Sequence, residues 1–436
     1  MMKISEMPKY DDYVDSGVEW LGRVPASWEL TRLGTRFNER RSKVSDIDYP
    51  ALSVTKKGVL PQLDNAAKTK DGDNRKLVKE GDFVINSRSD RKGSSGVSDR
   101  DGSVSLINIV LKPKGIHPKF SEHLLKSHAF IEEYYRVGRG IVADLWTTRY
   151  DEMRTITISV PSLEEQTRIA NFLDKKTALI DEAISIKEKQ INLLKEHKQI
   201  IIQQAVTQGL DPNVPMKDSG VDWIGDIPEH WEVVPLKRLA VLSPSVKVSN
   251  RKSKELVTFL AMEKVSTDGF IDQDTLMPIC DVSQGFTVFN RGDVIVAKIT
   301  PCFENGKSAW LNNLQTEFGY GSTEFHVLRC GQRIIGSFLY LIVSSPLFLN
   351  AGEAMMTGSA GQKRVPSSFI QNFPTAIPGV AEQEKIVSKV KELFSQIDVV
   401  VASTGNQIEK LKEYKTTLIN SAVTGKIKIT PEMVEQ

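Results

Sequence analysis

Cysteine is scarce in this chain: Cys280, Cys302 and Cys330 are the only three in 436 residues. Thiols so few and so far apart cannot frame a disulfide scaffold, so a reducing, cytoplasmic setting is expected. No apolar run approaches the roughly 18 residues that a membrane span needs. The opening MMKISEMPKYDDY also lacks the apolar stretch of a secretory signal. An excess of one charge is missing too. Lys+Arg number 57 against 55 Asp+Glu, a net +2, which excludes a polybasic or strongly acidic tail protein but allows local basic patches.

Catalytic signatures are equally thin. Asn305-Gly306-Lys307-Ser308 resembles the end of a phosphate loop, yet the glycine required five positions before Gly306 is Pro301. No GxGxxG follows a strand-like run, so no dinucleotide or S-adenosylmethionine pocket is signalled. His326 and Cys330 have no CxxC or second histidine beside them, which points to buried structural cysteines and no metal site. Gly358-Ser359-Ala360-Gly361 is not the GxSxG of a nucleophile elbow. The residues describe a binder with no cofactor of its own.

What is present is a repeat. DSGVEWLGRVPASWEL from Asp15 returns as DSGVDWIGDIPEHWEV from Asp218, pairing Trp20 with Trp223 and Trp28 with Trp231. Gly81-Asp82-Phe83-Val84-Ile85 returns as Gly292-Asp293-Val294-Ile295-Val296. Pro161 and EEQTRIA return as Pro378 and AEQEKIV, and Ala205-Val206-Thr207 as Ala422-Val423-Thr424. Three colinear matches make the chain a tandem duplication of a unit of about 200 residues. At roughly 150 residues per domain, the length suggests about three folded bodies. The Trp…Pro…Trp segments read as a hydrophobic strap across a domain or a helix end.

Each copy has two parts. The first, about 15–160 and 218–377, alternates short apolar runs with Gly, Pro, Asn and Asp, which predicts mixed α+β structure rich in strands and turns. The second, about 162–208 and 379–425, has no proline in its body and reads as a long helix stopped by Gly209 or Gly425, with Gly405 the one interruption. Two lines of residues spaced seven apart run along each helix. In the first they include Leu173, Ile180, Ile184, Ile191, Leu194 and Ile201. In the second they include Val390, Phe394, Ile397, Val401, Ile408, Leu411 and Leu418. That spacing predicts a coiled-coil seam between the helices, with polar breaks at Lys187, Thr404, Lys198 and Lys415. Gln166–Gln208 would span about 64 Å at 1.5 Å per residue, the dimension of a spacer.

Basic residues recur at related places. Arg36, Arg40 and Arg41, with Arg32 and Lys43, follow the first Trp segment, and Arg32, Arg36 and Arg40 would share one helical face. Lys247, Arg251, Lys252 and Lys254 occupy a comparable place in the second copy. The polar turn after each Gly-Asp strand adds Arg88, Arg91 and Lys92 in one copy and Lys298 and Lys307 in the other. Later segments contribute Arg139 and Arg149, then Lys363 and Arg364. Arg and Lys on loops suit phosphate and base-edge contacts, so these form the candidate DNA-binding set.

These elements, in this order and twice over, resemble the specificity subunit of type I restriction–modification systems. The resemblance covers nearly the whole chain. It implies an α+β fold: a tandem duplication of a mixed α/β target-recognition domain plus a long helix, the two helices pairing as an antiparallel coiled coil. The parts would be recognition domain 1 (1–161), helix 1 (162–209), linker and recognition domain 2 (210–378), and helix 2 with its tail (379–436). It further implies a non-catalytic subunit, each domain reading one half of a bipartite, asymmetric double-stranded DNA target. The coiled coil would set the spacing and dock two methyltransferase subunits, with restriction subunits completing the complex and no membrane involved. S-adenosylmethionine, ATP and Mg would bind the partner subunits. A coiled-coil scaffold that reads no DNA, and a nuclease or methyltransferase with a divergent site, are the alternatives. The turn SRSDRKGSSG departs from ITPCFENGKS, so contacts need not map from one half to the other.

Overall fold

The computed structural model describes residues 3–62, 72–140, 146–246, 251–359 and 361–435. Packing divides the chain into two compact units, Met1–Glu188 with Gly405–Gln436, and Lys189–Thr404. Each therefore holds one globular part together with a stretch of both long helices.

The globular parts are built on the same sheet. In the first unit, β1 (Phe37–Glu39), β2 (Phe83–Asn86), β3 (Ser95–Val97) and β4 (Asn108–Pro113) lie in the order β3-β2-β4-β1. In the second, β5 (Ala240–Leu242), β6 (Val294–Ala297), β7 (Ser308–Trp310) and β8 (Phe325–Cys330) repeat that order as β7-β6-β8-β5. The registers correspond as well. Val84 faces Val110 and Gly96, just as Ile295 faces Val327 and Ala309. All four residues of β2 and of β6 are buried, as expected of a central strand covered on both faces. Gly81 and Gly292 precede these strands at φ +83° and +90°, a conformation open to glycine and costly for other residues.

The sheet overrides one local expectation. Arg32, Arg36 and Arg40 do not share a helical face, because the helix spans only Leu33–Arg36. Phe37 is fully buried and starts β1, which pairs with Leu111–Pro113, so long-range ladder bonds and core burial end the helix after one turn.

The glutamine of each EEQ/AEQ motif ties its long helix to the globular part. Gln166 Oε1 accepts from His117 N at 2.7 Å while its Nε2 donates to Pro161 O at 2.8 Å. Gln383 repeats this with Ile335 N at 3.0 Å and Pro378 O at 2.9 Å. Both are buried, and each pairs its amide oxygen and its amide nitrogen, which explains why a polar residue sits in a core position.

The long helices span Leu163–Thr207 and Val380–Val423, and Gly405 does not interrupt the second. Every heptad position read from the sequence is buried or half-buried in the structure. In the first unit the helices run antiparallel, with Lys415 donating to Asp181 at 2.6 Å and Lys187 to Gln407 at 2.6 Å. In the second unit Lys198 donates to Asp398 at 2.5 Å with its ammonium over the Phe394 ring. The seam lysines thus lay their methylenes along the stripe and carry the charge out to the partner helix.

The Trp segments close over helix ends. Trp28 packs at Gly425, beyond the second helix, and Trp231 at Gly209, beyond the first. Both glycines are left-handed, at φ +71° and +69°, the usual residue just past a helix C-terminus. A β-carbon at Gly209 would meet Trp231 at an ordinary 3.4 Å, whereas at Gly425 it would overlap the Pro25 ring. Gly209→Ala should therefore cost about 1–2 kcal/mol of backbone strain, and Gly425→Ala about 1–3 kcal/mol more from overpacking. Denaturant titration of the two variants checks the order, and equal losses would refute the overlap argument.

Candidate nucleic-acid interface

The turn after each Gly-Asp strand is closed by the same backbone bond, although the second turn is the longer. Asn86 N donates to Ser94 O at 2.9 Å and Ala297 N to Lys307 O at 2.9 Å, with Gly93 and Gly306 left-handed at φ +80° and +74°. Each turn is bridged to the segment that precedes its long helix. Thr148 N donates to Ser87 O at 3.0 Å, and Val365 N to Lys298 O at 2.8 Å. Basic residues separated by some 50–60 positions in the sequence are thereby drawn together within each unit.

In the first unit Arg88, Arg91 and Lys92 are exposed on the turn. Arg91 lies 3.6 Å from Asp90, while Lys92 pairs with Glu132 at 2.7 Å and lies over the Tyr135 ring. Arg139, 84% exposed, reaches Glu152 at 3.4 Å, and Arg149 is exposed at the start of a short helix. Arg41 pairs with Glu39 at 2.6 Å, and that hydrogen bond holds its guanidinium above its usual range. Arg41, Lys43, Lys76 and Arg149 border a cleft of about 380 Å³ whose acids are Glu39 and Asp151. Lys76 was not among the residues singled out from the sequence. It reaches the cleft only because Arg75–Val78 folds beside Glu39, to which it donates at 3.2 Å, a tertiary placement without local signal.

Two expected contacts face inward. Arg40 donates through Nε and Nη2 to the Asp82 carboxylate at 2.6 and 3.1 Å, and this bond raises the guanidinium pKa. The Asp82 side chain is 2% exposed and needs a countercharge, so Arg40 completes the sheet and its fork is already occupied. Arg36 is half-buried between Glu29 and Gly115 O. The second unit satisfies its own aspartate differently. Arg329 of β8 holds Asp293 with two 2.8 Å bonds, and Ser243 stands at the place of Arg40. The matching backbone bonds, Arg40 N to Val110 O and Ser243 N to Val327 O, both at 2.8 Å, fix the equivalence.

Also in the second unit, Arg251 pairs with Glu317 and Glu255 beside the Phe318 ring, while Lys252 and Lys363 are exposed. Lys298 is half-buried, and Lys307 donates to Met262 O at 3.0 Å, so this lysine braces its loop. Arg364 grips Glu324 with two 2.9 Å bonds, which hold that carboxyl below its usual range. Lys247 lies outside the described residues. His326 is buried and donates through Nε2 to Val365 O at 3.0 Å, with burial lowering its pKa. Cys302 and Cys330 are half-buried, but Cys280 is exposed, contrary to the expectation of buried cysteines. Among the described residues no group of three or more His, Cys, Asp and Glu is placed to hold a metal ion, and no helix is long and apolar enough to cross a membrane.

Comparison with known proteins places this arrangement. Residues 32–196 match the model of the type I restriction modification DNA specificity domain. The chain is 38% identical to the EcoAI specificity subunit of Escherichia coli over 199 residues, 45% of this chain and 33% of that protein. It is 36% identical to the E. coli EcoEI specificity subunit over 197 residues, 44% of this chain and 33% of that protein. The matches thus span about a third of the length of these two relatives. Similarity to the MjaVIII specificity subunit of Methanocaldococcus jannaschii is lower, 23%, but covers 93% of this chain and 94% of that one. The fold is shared with a chain solved in work on assembly and conformational transition of a type I R-M system, at TM-score 0.68 and 15% identity over 92% of this chain and 98% of that one. It is also shared with the HsdS subunit from Thermoanaerobacter tengcongensis, at TM-score 0.51 and 16% identity over 93% and 98%. The duplicated sheet and the paired long helices are thus found in a chain that is similar, in part of its sequence and in fold, to specificity subunits of type I restriction–modification systems.

Proposed function

We propose that this chain is the non-catalytic DNA-recognition subunit of a type I restriction–modification complex. Each unit reads one half of a bipartite, asymmetric target, and the paired helices set the gap between the halves. The observation that carries this reading is a sheet repeated in order and register, whose turn differs between the copies in length and in side chains. A common scaffold with divergent loops is what two readers of different sequences need. Methyltransferase and restriction activities, with S-adenosylmethionine, ATP and Mg, are assigned to partner subunits, and cytoplasmic DNA is the working substrate. Two methyltransferase subunits dock on the helices. Leu179 and Ile186 in the first unit and Leu193 and Ile200 in the second, spaced seven apart and 49–63% exposed, offer apolar surface for that purpose.

Replacing Arg88, Arg91 and Lys92 together by alanine is expected to weaken recognition of one half-site only and to lower the salt slope of binding by about 2–3. Gel-shift titration of the complex on targets carrying one intact half-site at a time measures this. Equal loss at both halves would count against modular reading, and the absence of any salt-sensitive, sequence-selective binding would remove the DNA assignment in favour of a scaffold.

A further inference from the structure

One turn differs between the units in a way that the sheet does not explain. It leads into β4 in the first unit and into β8 in the second. Asn108 N donates to Ser105 O at 3.1 Å, and Phe325 N to Ser322 O at 3.2 Å. Ser87 N donates to Ile107 O at 3.3 Å, and Lys298 N to Glu324 O at 2.9 Å. These matched bonds make Leu106 and Ile107 the counterparts of Thr323 and Glu324. In the second unit the turn is polar and its carboxylate is locked by Arg364. In the first it presents two branched aliphatic side chains, 41% and 38% exposed, that line the same cleft as Arg41, Lys43, Lys76 and Arg149. The turn is stiff, since the Asn108 amide donates to Ser105 O and Oγ at 3.2 and 3.1 Å.

We infer that Leu106 and Ile107 form a specificity element that reads the C5-methyl group of thymine in the half-site held by the first unit. This rests on the DNA-recognition reading above. Cations on the cleft bring phosphates close, and base edges in the major groove are polar except for that methyl. Two exposed aliphatic groups gain by burial against it and gain nothing against an amino or carbonyl edge. The uncharged pair also avoids the repulsion from phosphate that a free glutamate here would meet. At the corresponding turn the second unit, with Glu324 tied to Arg364, has no aliphatic pair to make this contact.

Deoxyuridine differs from thymidine by the methyl alone and is the probe. The assembled complex is titrated with duplexes in which each thymine of its target is replaced in turn by uracil. The Arg88, Arg91 and Lys92 variant identifies the first unit's half-site. One or two thymines there should show a loss of about fourfold each, the worth of one buried methyl-sized group, and none in the other half-site. In the Leu106→Ser/Ile107→Ser variant thymine and uracil duplexes should bind alike. Leu106→Val/Ile107→Val should keep the discrimination, which separates lost contact from lost folding. A first half-site without thymine, or one indifferent to uracil, would overturn the inference while leaving DNA recognition intact. So would a serine variant that still discriminates. A complex with no sequence preference at all would instead remove the recognition reading itself.

Discussion

Replacing Asp82 by alanine should destabilise the first unit by about 3–5 kcal/mol, the usual cost of removing one member of a buried ion pair. The Asp82 side chain is 2% exposed and Arg40 20% exposed, so the guanidinium left behind cannot be fully rehydrated. The Lys79 N–H, which donates to Asp82 at 2.9 Å, would lose its acceptor as well. Arg40→Ser should cost nearly as much, because it leaves the buried carboxylate without a countercharge. The second unit shows the remedy. It takes its arginine from the neighbouring strand, where Arg329 occupies the position of Lys112, and it carries Ser243 at the position of Arg40. Combining Arg40→Ser with Lys112→Arg rebuilds that arrangement and should recover at least half of the loss. Segment-resolved hydrogen exchange in denaturant reads the first unit's stability with the second as internal control. A double variant no more stable than Arg40→Ser alone would show that the two arrangements are not interchangeable.

Removing one heptad from each long helix in register should give a complex that methylates a target with a changed gap and both half-sites unchanged. A seven-residue deletion removes about 10.5 Å of helix and preserves the buried stripe. The original target can then engage only one half-site at a time. Each mismatched base pair costs about 1–3 kcal/mol, so losing a whole half-site should weaken binding to it by at least about 100-fold. Sequencing the methylome of a host that carries the altered system measures gap and half-sites together. An unchanged gap would refute the idea that these helices act as a ruler.

The sequence was most legible where the controlling physics is local or periodic. Colinear repeats separated the two halves, and the heptad lines running from Leu173 and Val390 marked the faces that the structure buries. Gly209 and Gly425 stand just past the long helices for a reason visible in one residue, the low cost of left-handed backbone at glycine. Seam lysines looked like defects in the stripe. Their acidic or amide partners on the other helix, Asp181, Gln407 and Asp398, became evident only with the pairing in place.

Charged side chains were the least legible, because their roles depend on partners far along the chain. Arg40 and Arg41 are adjacent and alike in sequence, yet Arg40 turns to Asp82, 42 positions away, and Arg41 is 70% exposed at the cleft. Lys76 drew no attention and became a wall of that cleft. The amino-acid sequence by itself determined the duplication and the two long helices with their apolar stripes, since repetition and periodicity are properties of neighbouring residues. Only the tertiary structure decided which cations stay available for a polyanion and which neutralise buried carboxylates. A buried charge must find its counterion wherever folding brings one, and the two halves of this chain found theirs at different positions, Arg40 just past β1 and Arg329 on β8.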